Sequence, residues 1–305
     1  ANGSATLPQP DVLESFDLSL TGEATPENAG YDFDVSATTA ADAGYGAFVE
    51  SITTNGEIVM GADRFTANGT FEARTGMPMG AESSPSLTFQ ETDAGYELSA
   101  SENRLLSSFE LADWQNRSAA EATIREQYVP EDVDELEGSA TVDLESYALS
   151  EGQGDRQRLD VQYTVTYEGI EDALRDRLAT ELATAPGASE SAAEDLADGL
   201  FAASVNEVSF DLSNDGTAMS GSMTVDVSNY QDLATAYFEY AGSLDTAGAT
   251  SEDVLEQARA QFEAQQAADL EQRYTWSGEL AGQDDGALAL DLTMDYRTTN
   301  WATYV

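Results

Sequence analysis

The chemistry open to this chain is set first by what it lacks. Every basic residue among the 305 is an arginine, and lysine, histidine and cysteine are all absent. Without histidine or cysteine there is no Ser-His-Asp triad, no thiolate nucleophile and no zinc site built on imidazole or sulfur. Without lysine there is no Schiff base and no phosphate-binding loop lysine. Carboxylates, hydroxyls, phenols and guanidiniums remain. Their main acid–base route is a pair of carboxyls, one holding its proton in a cleft, as in glycoside hydrolysis. With 58 acids, close carboxyl pairs occur everywhere, so spacing selects none. Most acids fall at polar positions of alternating segments, in turns or at helix starts, where water keeps them ionised. The expectation is no catalytic residue and no cofactor.

Other constellations are weaker. Asp132, Asp134 and Glu137 have a calcium-like spacing but lack the glycine and the regular alternation of an EF-hand loop, and the Asp-Gly turns are explained by turn chemistry; a metal site is left unknown. Trp276 shares strand parity with Tyr274 and Leu280, which points to packing. Trp114 precedes a helix and reads as an anchor, while Trp301 lies past the last strand, where it could meet a partner. Arg156 and Arg158 beside Asp155 decorate a hairpin, and Arg175 and Arg177 follow Glu171 and Asp172 for local pairing on a helix. Three tripeptides fit the N-glycosylation acceptor, at Asn2, Asn68 and Asn116, in contexts that read as a tail, a hairpin tip and a helix entrance.

The net charge is 12 − 58 = −46. Such a chain has no electrostatic basis for holding a phosphate backbone, so nucleic acid is excluded as a partner. Disorder is excluded too, because 41% of residues are hydrophobic and 9% aromatic, and they recur with strand and helix periods. Self-repulsion at this charge strains a compact state in dilute salt. Near 1 M salt the Debye length falls to about 3 Å and separated surface charges no longer feel one another. Replacing lysine also trims exposed hydrocarbon, whose association salt strengthens. Acid-rich and lysine-free along its whole length, the chain resembles secreted or cell-envelope proteins of extremely halophilic archaea. That resemblance is one of composition and implies an environment, not an activity. It implies an extracellular or cell-surface location, with the cytoplasm of a salt-accumulating archaeon as the alternative. No window is apolar enough over 18 residues to cross a membrane as a helix.

The elements follow from periodicity. Residues 1–12 read as a flexible tether, such as a processed N-terminus would leave; a removed C-terminal anchor would also be compatible. Residues 13–104 read as a β-rich region: Phe16, Leu18 and Leu20 alternate with Asp17 and Ser19, and Tyr31, Phe33 and Val35 with Asp32 and Asp34. Asn55-Gly56 and Asn68-Gly69 carry the strongest short hairpin signal, which predicts a meander through Phe48–Thr54, Glu57–Ala67 and Thr70–Arg74. Asp93-Ala94-Gly95 predicts a further turn. Residues 105–305 read as helix-plus-hairpin repeats. Their hairpin turns fall at Gly152–Asp155, Asn214–Gly216 and Asp284–Gly286, and their last strands at Tyr163–Tyr167, Met223–Val227 and Leu292–Tyr296. Ser118 with Glu121 and Ser191 with Glu194 predict helix caps, Pro130, Pro186-Gly187 and Gly248 predict breaks, and a long helix is predicted from Ser251 to Gln272.

The predicted fold class is α+β: hairpin-rich, curved antiparallel sheet with helices covering one face and helix-plus-hairpin repeats in the C-terminal two thirds. The predicted function is that of a non-catalytic extracellular or cell-surface protein of an extreme halophile, in an envelope, adhesion, filament, layer or viral-surface role. Its partners would be other envelope proteins or surface glycans. The alternative is a ligand- or glycan-binding module, or, further off, a glycan hydrolase working with carboxylates alone.

Overall fold

The computed structural model describes residues 2–3, 13–25, 29–39, 49–76, 81–129, 139–152, 156–244, 252–283, 287–300 and 303. The fold is α+β, with one open antiparallel sheet. Its strands are β1 (Asn2–Gly3), β2 (Leu13–Ala24), β3 (Ala29–Thr39), β4 (Val49–Met60), β5 (Arg64–Thr75), β6 (Ser86–Thr92), β7 (Gly95–Leu106), β8 (Ala140–Glu151), β9 (Gln157–Glu168), β10 (Ser204–Asn214), β11 (Ala218–Ser228), β12 (Gln272–Gly282) and β13 (Leu288–Thr298). The helices are α1 (Arg117–Tyr128), α2 (Glu171–Ala183), α3 (Glu190–Ala202), α4 (Gln231–Ser243) and α5 (Glu252–Ala267). No helix among the described residues is long and apolar enough to cross a membrane.

Across the sheet the strand order is β1-β2-β3-β13-β12-β4-β5-β11-β10-β6-β7-β9-β8. The chain first lays down three hairpins, β2–β3, β4–β5 and β6–β7. It then adds β8–β9 at the edge beside β7, inserts β10–β11 between β5 and β6, and inserts β12–β13 between β3 and β4. Hairpins that follow helices in sequence share the one sheet but are not neighbours in it. The route explains the paired helices. Because every link in the sheet is antiparallel, β9 ends and β10 begins at the same end of the sheet, with β7 and β6 between them. An up-and-down pair, α2 and α3, spans that gap and returns the chain to its starting level. For the same reason α4 and α5 lead from β11 across β5 and β4 to β12.

The largest core lies under α1. Ala120 and Ile124 of the helix, with Trp114 just before it, pack on Leu98, Leu144, Leu159, Val161, Tyr163 and Val165. Asn116 caps this helix, its side chain accepting from the Ala119 N–H at 3.1 Å. Ser118, the expected cap, lies inside the first turn. The same slip occurs at α3, where Ser189 accepts from the Ala192 N–H at 3.0 Å in place of the expected Ser191. In both cases the earlier polar residue takes the extended cap conformation and satisfies the free N–H first. Helices α3 and α4 touch closely: a Cβ on Gly199 would lie 2.9 Å from Leu233 Cα. Tyr240 is buried there and donates to the Leu182 carbonyl at 2.9 Å.

Several boundaries move. Asn55-Gly56 and Asn68-Gly69 are not turns: each lies mid-strand, and Gly56 pairs directly with Gly69. The chain reverses instead through Gly61–Asp63, where the Gly61 N–H donates to the Arg64 carbonyl. The expected meander of three segments is one long hairpin. The last helix stops at Ala267, well before Gln272, and Asp269 turns the chain with a φ of 50°. Turns are found as expected at Asp93–Gly95 and Asn214–Gly216, and Pro186-Gly187 does break α2 from α3. Pro130, Gln153–Asp155, Gly248 and Asp284–Gly286 lie outside the described residues. Of the expected tether, Asn2 and Gly3 pair with Thr21 and Leu20.

Candidate functional site

Directly paired residues in an antiparallel sheet point to the same side. Read across the sheet, the register gives rows of uniform character. One row runs Leu20, Phe33, Met294, Trp276, Gly56, Gly69, Met223, Phe210, Leu87, Ala100, Tyr163, Leu144. The parallel rows through Phe16, Leu18 and Gly22 contribute no charged residue from β2 to β10. The opposite side is mainly polar, as in the row Ser19, Asp34, Thr293, Ser277, Asn55, Thr70, Ser222, Asp211. Period-two alternation in each strand, held in register, thus sorts the sheet from β2 to β10 into an acidic side and an uncharged side.

Helix α1 covers the uncharged side at the β7–β9 end. Elsewhere that side is less covered than the expected layer of helices over one face would leave it. Leu20, Phe210, Met223 and Met294 of the long row are 43%, 42%, 46% and 44% exposed. At its centre the row is paved by an aromatic ring. A Cβ on Gly56 would fall within the Trp276 indole, so the ring lies across the glycine, with its Nε1–H donating to Thr54 Oγ1 at 3.3 Å. Phe71 lies over Gly221 in the same manner.

Beside this row, under α2 and α3, is an apolar cavity of about 410 Å³. Its floor is Phe89 of β6, Tyr96 and Leu98 of β7 and Tyr167 of β9; its roof is Ile170, Leu174, Leu200 and Phe201. The size and the apolar lining match small-molecule sites. Its polar atoms are few. The Tyr167 hydroxyl donates to the Tyr128 carbonyl at 2.9 Å, and burial pushes the Tyr167 phenol up. Burial also raises Tyr96, reinforced by Glu171 and Glu91 and opposed by Arg175, so both phenols keep their protons at neutral pH. Outside the roof, the Arg175 guanidinium stacks over the Phe201 ring at 5.6 Å.

Carboxylates gather elsewhere. A larger cleft of about 650 Å³ between α2 and α3 is lined by Asp176, Glu190, Glu194 and Asp198 with Arg175. All four acids are exposed. On the polar side of the sheet, a hydrogen bond shared with Asp295 holds Asp32 down, while burial, and then that same hydrogen bond, hold Asp295 up. Arg297 bridges both, at 2.9 Å and 2.6 Å. This pair was not singled out by its sequence, because the register of β3 on β13 alone makes the two residues neighbours. Among the described residues no group of three or more acids is arranged to hold a metal ion.

The residues marked by sequence scatter. Trp276 sits on the uncharged side; Trp114 is buried under α1, its carbonyl accepting from the Tyr147 hydroxyl. Arg158 donates to Asn103 and Glu82 at 2.5 Å and 2.8 Å, while Arg156 is exposed. Arg175 pairs with Asp172 as expected, at 2.8 Å, and also with Asp198; Arg177 pairs locally with Glu181, one turn on. Asn68 is exposed in mid-strand on the polar side, not at a hairpin tip. Asn116 is an exposed helix cap, and Asn2 lies in β1. Asp132, Asp134, Glu137, Asp155 and Trp301 lie outside the described residues. The cavity escaped sequence reading because its lining comes from seven separate elements; the alternating apolar residues were visible, but what covers them was not. No family model matches the chain, and no curated protein matches it in sequence.

Proposed function

We propose that this chain is a non-catalytic binding module of an extreme halophile, working at the cell surface or outside the cell, and that it holds an apolar ligand on the uncharged side of its sheet. One observation carries this reading: a chain of net charge −46 keeps every charge off four adjacent rows of its sheet from β2 to β10, and those rows adjoin an apolar cavity of about 410 Å³. Concentrated salt raises the cost of wet hydrocarbon, so an uncovered apolar surface binds apolar matter more strongly there. An apolar ligand fits better than a glycan. A sugar stacked on Trp276 would need hydrogen-bonding groups around the ring, yet its row neighbours are Met294, Gly56 and Gly69, and Thr54 is already engaged by the indole.

The test uses Nile red, a neutral polarity-sensitive dye, in molar salt. Saturable binding is expected, with displacement by an eight-carbon alkyl glucoside. Leu200→Glu at the exposed lip of the cavity should weaken both about tenfold, the worth of roughly two buried methylenes. Folded protein that binds neither probe would refute the reading.

A further inference from the structure

The cavity does not end at its own walls. Its floor residue Phe89 is two positions from Leu87 on the same side of β6, and Leu87 pairs with Phe210 in the long apolar row. From Phe210 the row continues through Met223, the Trp276 ring laid over Gly56, and Met294 to Phe33 and Leu20, with no charged residue along it. From β10 to β12 is four strand spacings, about 19 Å, and from β10 to β2 is seven, about 34 Å.

We infer that the ligand is a linear amphiphile with a single long hydrocarbon chain. Its tail fills the cavity under α2 and α3, its chain lies across the strands along the Phe210–Met223–Trp276 row, and its polar head stays in solvent near β12 and β13. This rests on the binding reading above and specifies the ligand. Three observations favour an extended chain. The cavity is apolar and the row that adjoins it is long and uncharged, which suits a molecule that is apolar along an extended length. The glycines at Gly56, Gly69 and Gly221 keep side chains from standing up in the path: a Cβ on Gly56 or Gly221 would strike the Trp276 or Phe71 ring. Finally, α1 and the α2–α3 pair stand on the same side of the sheet as the row, so a second copy's rigid sheet would be held away from the cavity that a flexible chain can enter. A second copy would also bring another −46 charges.

The experiment compares non-ionic alkyl glycosides with eight-carbon and sixteen-carbon chains, each below its micellar concentration, on the whole chain in molar salt. The readout is acrylamide quenching of Trp276, taken as the part of the emission missing from Trp276→Phe. Both probes should bind, but only the sixteen-carbon chain should shield Trp276, because the shorter one ends near β10. Met223→Glu, at an exposed position where the fold tolerates charge, should weaken the long probe about tenfold and leave the short one unchanged. Circular dichroism checks that the variant folds. If both probes bind and neither shields Trp276, the ligand is confined to the cavity: the inference fails and the binding reading survives. If neither binds, both fail. A dimer that Met223→Glu dissociates, with no protection by the long probe, would assign the row to a second copy and overturn the inference.

Discussion

Two cross-strand partners, Gly56 and Gly69, should respond oppositely to the same substitution. Both follow asparagine, and both would be turn residues if local sequence ruled. A methyl on Gly56 would occupy the space of the Trp276 indole, whereas on Gly69 it would sit at ordinary contact, 3.8 Å from the ring. Neither residue has positive φ, so alanine meets no backbone strain at either position. Gly56→Ala must push the ring off the sheet. Overpacking of this kind costs about 1–3 kcal/mol, and loss of the Thr54 hydrogen bond adds up to about 1 kcal/mol. Gly69→Ala should be neutral or stabilise by about 0.4–1 kcal/mol, because the unfolded chain loses freedom. At roughly 2 °C per kcal/mol for a chain of this size, Gly56→Ala should melt about 2–8 °C lower and Gly69→Ala no lower than the parent. Thermal melts followed by circular dichroism in molar salt measure both. The cost of Gly56→Ala should also largely vanish in a Trp276→Ala background, a coupling of about 1–2 kcal/mol. Equal effects at the two glycines, or strict additivity with Trp276→Ala, would refute the packing argument.

Folding should depend on salt: circular dichroism at about 0.1 M and about 3 M should show structure gained or strengthened at the higher value, and equal stability at both would remove the halophile reading. Asn116→Ala should cost about 1 kcal/mol and Ser118→Ala less than about 0.5 kcal/mol, since only the first caps α1; equal melting temperatures would place the cap elsewhere. The Glu110 carboxyl is held down at about 2, against an ordinary 4.5, first by the Ser107 hydroxyl and N–H and then by Arg104. Its contribution is complete above the ordinary value and is lost as pH falls from about 4.5 toward about 2. Because the site is partly exposed, about 1 kcal/mol or less is at stake, and Glu110→Gln should flatten the stability–pH curve in that window while leaving a baseline cost at neutral pH.

How much of this was legible beforehand differs by element. Alternation over 16–20 and 31–35 depends on residue order within one element, and the strands are where that pattern puts them. The two-sided sheet follows from the same cause, because period-two side chains keep their polarity whichever strand lies alongside. The cap at Asn116 was within reach, but an equally good Ser118 two residues later competed for it. Asn-Gly at 55–56 and 68–69 misled because a turn signal measures local backbone cost alone. In the sheet, glycine there serves a ring supplied by β12, more than 200 positions away in the chain. Strand order was beyond local reading for the same reason: no residue of β4 records that β12 will later be inserted beside it.

By itself, then, the sequence determined the chemistry this protein lacks, its −46 charge and the polarity of each side of each strand, since these are properties of composition and short-range order. Only the tertiary structure decided that hairpins made late fill gaps left early, that Trp276 lies over Gly56, and that the uncharged side meets a cavity under α2 and α3. Those features arise from contacts between residues far apart in sequence, whose pairing is chosen by the packing of the whole chain and not by any segment of it.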